Sequence, residues 1–197
     1  MVKLGTMINR IKKYWADNFG ELPPKADELK FEFGDRWVRF HSLPESKRYA
    51  NSESEYEQVL FRYNSLIKEL FPYQSELFVV LTEYSNRSEP EHLEYKLLEI
   101  FPETEYWCSI QTNEEDDDPI YWHFHATKTG VEDSALNKLL RLVADDEISN
   151  VMLFCNESES LFHPYDGGSD CILSSVEHRN RLEGKFSNWL SAHPEGL

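Results

Sequence analysis

The chain has 197 residues, 40% of them hydrophobic and 14% aromatic, which suffices for one sizeable globular domain over 1–197 and excludes a disordered polypeptide. Its formal net charge of −16 leaves no basic field to release counterions, so neither nucleic acid nor an anionic membrane surface is an expected partner. The charge favours instead a basic protein partner drawn in by long-range attraction.

No run of about 18 apolar residues occurs, so no transmembrane helix is expected. The opening MVKLGTMINRIKKYW lacks an apolar core and a small-residue cleavage site, so it does not read as a signal peptide. Cys108, Cys155 and Cys171 lie far apart in apolar, strand-like runs, with no CxxC, and read as reduced core residues. A soluble, cytoplasmic protein is the expectation.

In chain order, the first helix is predicted over Met7 to Phe19, with Thr6 as N-cap, Ile8, Ile11 and Trp15 on one face, and Gly20 as the stop. A strand follows over Trp37–Phe40. Ser52 and Glu55 form a capping box that opens a second helix. Val59, Tyr63, Leu66 and Leu70 make its apolar stripe, and Pro72 ends it. A strand at Glu76–Tyr84 precedes a weaker helix at Glu91 to Ile100. Strands at Glu105–Thr112 and Ile120–Thr127 flank the acidic run NEEDDDP, which reads as a solvated hairpin loop. A cation site on Glu114, Glu115, Asp116, Asp117 and Asp118 lacks the EF-hand spacing and glycine.

A third helix is predicted to open at Thr129 with Glu132, burying Leu136, Leu139, Leu140 and Val143. Strands at Asn150–Asn156, Ser160–Tyr165 and Asp170–Leu173 come next. A fourth helix opens at Ser174 with Glu177 and buries Leu182, Phe186, Trp189 and Leu190. The aromatic and β-branched strands joined by short turns predict an α+β domain. It has one mixed, mainly antiparallel sheet with about four helices packed on it.

Three stretches could carry chemistry. In LFHPYDGGSD, alternation sends Leu161, His163 and Tyr165 one way and Phe162 the other. Asp166, Gly167 and Gly168 form a turn whose glycines are expected at positive φ, and Pro164 suits a strand end. His163 or His41 is then a candidate general base, with Asp166 and Asp170 as orienting acids. In RWVRFHSLPESKRYA, basic groups concentrate in an otherwise acidic chain. Arg39, Ser42, Lys47 and Arg48, with Tyr165, are candidates for holding an anionic ligand. In YWHFHA, His123 and His125 share one strand face and could share a metal, with His163 or Asp166 as third ligand. There is no GxGxxG, Walker A, GxSxG, HExxH or kinase signature, so no cofactor is expected.

Together, RWVRFHSLPESKRYA, LFHPYDGGSD and WLSAHPEGL resemble the pattern of an uncharacterised bacterial family of about this length, a domain of unknown function. Its members resemble one another over almost the whole chain, and the resemblance implies no activity or site residues. A looser similarity of charge, size and class links the chain to small acidic cytosolic immunity proteins, which cover a toxin's surface. Two functions follow as expectations. The first is a non-enzymatic protein-binding module. The second is a small-molecule hydrolase with a His/Asp site near the HPYDGG turn.

Overall fold

A computed structural model describes residues 6–90, 93–112 and 119–190. The elements are α1 (Met7–Phe19), α2 (Ala26–Glu32), β1 (Trp37–His41), α3 (Glu53–Leu70), β2 (Glu76–Ser85), α4 (Tyr95–Ile100), β3 (Glu105–Thr112), β4 (Ile120–Gly130), α5 (Ser134–Ala144), β5 (Met152–Cys155), β6 (Ser158–Tyr165), β7 (Gly168–Ile172) and α6 (Val176–Lys185). The fold is α+β, as the pattern predicts. Among the described residues, no helix is long and apolar enough to cross a membrane.

The seven strands form one sheet in the order β1-β7-β6-β5-β2-β4-β3. Every neighbouring pair is antiparallel, so the sheet is not mixed. Helices cover both faces. On one side α3, α4, α5 and α6 bury Val59, Tyr63, Leu97, Leu140 and Leu182 against Phe40, Val79, Leu153 and Phe162. On the other, α1 and α2 bury Ile11, Trp15 and Leu29 against Phe78, Phe124, Phe154 and Ile172. This double burial explains why ELFVVL and MLFC read as continuous apolar runs.

Local signals placed most elements, and four details differ. The seven-residue α2 carries too little periodicity to be predicted. Thr129 does not start a helix. The β2–β4 ladder runs on through Leu77–Thr129 and Glu76–Gly130, and Asp133 caps α5 by accepting from the Ala135 N–H. Ser175 caps α6 instead of Ser174, accepting from His178 N–H. That helix ends at Lys185, so Trp189 falls in a separate 3₁₀ turn with Leu190 just beyond it. The Ser52 cap stands, but Glu55 accepts from the Asn51 N–H where a capping box would take that of Ser52. The NEEDDD loop, its acidic cation candidates and the last residues of WLSAHPEGL lie outside the described residues.

The turn between β6 and β7 also differs from expectation. It is a two-residue loop, Asp166–Gly167, closed by the pair Tyr165–Gly168. Neither glycine has positive φ, which among the described glycines belongs to Gly20. Gly168 is required for another reason. A Cβ there would lie 2.3 Å from the Phe40 carbonyl oxygen on β1. Pro164 sits past the last β5–β6 pair at that end, Leu153 with Phe162, where β5 offers it no partner.

Candidate functional site

The register of β1, β7 and β6 builds the site. Arg39 lies opposite Asp170, and Asp170 lies opposite His163, so three polar side chains from three strands form one row. Their neighbours Trp37, Ile172 and Leu161 belong to the core beneath α1 and α2, which fixes the face. The row opens into a cleft of about 300 Å³. Its walls are Asp27 and Lys30 of α2, Arg48, Tyr165 and Asp166, and Asp146, Ile148 and Ser149 of the α5–β5 loop.

Asp170 is 4% exposed and is gripped twice by Arg39, from Nε at 2.7 Å and from Nη2 at 2.9 Å. The guanidinium lies over the rings of Trp37 and Tyr165, each 5.3 Å from its centroid. Asp166 is held by Arg48 Nε through Oδ2 and by the Gly167 N–H through Oδ1. Tyr63 Oη donates to the Tyr165 carbonyl and pins the end of β6 from the opposite face. Burial pushes the Tyr165 phenol far above its ordinary pKa, and Asp170 adds to the shift, so it stays protonated.

His163 is 6% exposed, and its Nδ1 lies 2.8 Å from the Val151 carbonyl oxygen. A carbonyl only accepts, so Nδ1 carries the proton and Nε2 keeps a lone pair. Among the described residues Nε2 has no partner, and the side chain lines the cleft. Burial lowers the His163 pKa, outweighing upward pulls from the Val151 carbonyl, Asp170 and Asp27. The folded state resists a proton that the unfolded chain accepts near pH 6.5, so stability is full above that pH and falls below it, until the folded imidazole also protonates. His41, His125 and His178 shift the same way and add to the slope. Urea unfolding at neutral and mildly acidic pH should therefore show acid destabilisation, and His163→Gln should flatten part of it. An unchanged pH slope in that variant would contradict a buried neutral His163.

The two sequence stretches thus share a cleft, but only in part. Arg39, Arg48, His163, Tyr165, Asp166 and Asp170 come together. His41, Ser42 and Lys47 do not line it. His41 Nε2 faces Ser46 Oγ at 3.2 Å, and Lys47 pairs with Glu55. Ser42 is buried, and its N–H donates to the Gly167 carbonyl. Asp27, Lys30, Asp146 and Ser149 complete the walls and carried no sequence signal. Asp27 and Lys30 ride on the unpredicted α2, and Asp146 owes its place to a left-handed turn, φ 57°.

His123 and His125 do share a face, but it is the face opposite His163. Ring contacts occupy both nitrogens of His123: Nδ1 meets Ser109 Oγ at 2.5 Å and Nε2 meets Ser85 Oγ at 2.8 Å. His125 Nε2 lies 3.6 Å from Glu83 Oε2. Burial holds the imidazole pKa down, so the contact is not an ion pair at neutral pH. Among the described residues no three His, Cys, Asp or Glu side chains are grouped to hold a metal ion. The three cysteines are unpaired.

No curated protein and no solved structure matches the chain. A family model described as a domain of unknown function, DUF3885, matches residues 25–194, which takes in every wall of the cleft and leaves out α1. The chain belongs to the DUF3885 family.

Proposed function

We propose that the protein is a non-enzymatic recognition module of the cytoplasm that binds a basic partner protein, with the Arg39–Asp170–His163 cleft as its working surface. The locking of two of the cleft's acids, Asp166 in the turn and Asp170 within β7, carries this reading. Asp170 is committed to Arg39 and Asp166 to Arg48. An acid that orients a histidine base hydrogen-bonds that histidine. Here the Val151 carbonyl orients His163, and neither acid completes the pair. The net charge of −16 supplies long-range attraction for a basic surface and disfavours nucleic acid and anionic membranes. Phe31, 76% exposed on α2, and Tyr49, 45% exposed beside Arg48, would serve as aromatic anchors.

Calorimetric titration with a Lys/Arg peptide and a Glu peptide of equal length tests this reading. The basic peptide is expected to bind, more weakly as salt screens the charges. Equal binding of both peptides, or of neither, would overturn it.

A second reading makes the cleft the site of a small-molecule hydrolase, because His163 Nε2 presents a lone pair to it. Turnover of chromogenic esters that disappears in His163→Gln would favour this reading.

A further inference from the structure

Resting on the recognition reading, we propose that the cleft is a socket for a single guanidinium or ammonium group. Two of its four acids, Asp166 and Asp170, are already neutralised by Arg48 and Arg39. Asp27 on α2 and Asp146 on the α5–β5 loop remain, and neither carboxylate hydrogen-bonds to another described residue, although Arg48 is near enough to feel the Asp146 charge. Against them stands one cation, Lys30, whose ammonium lies 5.1 Å over the Phe31 ring. The uncommitted rim is therefore net negative.

His163 adds an acceptor to the same site. It is more than nine-tenths buried, it lines the cleft, and its free Nε2 can only accept. Its lone pair is uncommitted to the protein and open to the cleft, so a ligand N–H can take it without breaking any internal hydrogen bond. The Asp27 charge is near enough to act on the His163 ring, so acceptor and carboxylate serve one small volume. That volume, about 300 Å³, is at the lower end for ligand pockets and suits one side chain. An anionic ligand would meet the lone pair and two carboxylates, with Arg39 and Arg48 already engaged.

The cation could come from a partner protein's side chain or from a free small molecule. Amide NMR of the full chain separates these sources. The probes are N-acetyl-arginine amide, its neutral isostere N-acetyl-citrulline amide, and a short arginine-containing peptide. Arginine amide is expected to shift signals at 27–30, 146–149 and 163–170, and citrulline amide is not. Asp27→Asn, a surface change that leaves the core intact, and His163→Gln should each weaken binding about fivefold or more, the loss of one charge-assisted hydrogen bond. Tighter binding of the peptide than of the amide supports a protein side chain, and equal binding supports a free cation. Shifts elsewhere on the acidic surface, equal binding of citrulline, or indifference to both variants would overturn the socket. Salt-sensitive binding of the peptide outside the cleft would overturn the socket and the cleft as working surface, and leave standing only the attraction of a basic partner to the acidic surface. No binding of any arginine probe would remove both.

Discussion

Replacing Arg39 with methionine is expected to cost about 3 kcal/mol of folding stability, the lower end for breaking a buried ion pair, because the Arg39 side chain keeps 17% exposure. Asp170 sits at 5% side-chain exposure between two strands and loses both of its guanidinium bonds. Its charge is then buried without compensation. Methionine keeps much of the stem that packs between Trp37 and Tyr165, so packing loss is a small part of the deficit. The double variant Arg39→Met/Asp170→Leu removes both charges and should recover to within about 1 kcal/mol of the parent. Urea unfolding of the parent, both single variants and the double variant measures the coupling directly. Additive single effects would mean that the pair is not the unit that holds β1 to β7.

Gly168→Ala should be comparably damaging through sterics alone. Its Cβ would press to 2.3 Å from the Phe40 carbonyl oxygen and 3.0 Å from the Tyr165 hydroxyl. The first of these is main chain of the neighbouring strand and cannot swing aside. Strand β1 must move away from β7, which loosens the Arg39–Asp170 grip and the packing of Phe40. A loss of about 3 kcal/mol, the upper range for overpacking, would lower the melting temperature by roughly 6–12 °C in a domain of this size. Gly167→Ala is the control. Its Cβ meets the Arg48 Cγ at 3.2 Å, a flexible and exposed side chain, and should cost less than about 1 kcal/mol. Equal melting temperatures for the two variants would refute the steric account.

The contrast between these glycines shows what local sequence carries. DGG announced a turn, and a turn is there, but the demand on Gly168 comes from β1, a strand far away in sequence. A local pattern reads the turn and misses that strand. The helix α3 was legible because its cap and apolar stripe are both local. The capping-box reading of Thr129 and Glu132 failed because threonine suits a strand end equally well, and the ladder to Leu77 decided between them. The site follows the same rule. His163, Asp166, Asp170, Arg39 and Arg48 were visible as polar groups on loops and strand faces. Strand order and register are non-local, and they alone separated Arg39 from its neighbour His41 and sent His123 and His125 to the other face. Asp27 and Asp146 were invisible because their positions depend on a two-turn helix and a left-handed loop residue.

The pairing of β1 with β7 also sets a timetable for biosynthesis. Arg39 and Asp170 are separated by 131 positions. At roughly 5–20 residues per second, a ribosome delivers the second partner about 7–26 seconds after the first. For most of that interval β1 has been made without its ladder partner, and His163 and the Asp166 turn follow only shortly before Asp170. A chain stalled before β7 already carries His163 but lacks Asp170, and so lacks the middle of the Arg39–Asp170–His163 row. A copy truncated before β7 would therefore leave Arg39 without its carboxylate and the row it shares with His163 incomplete.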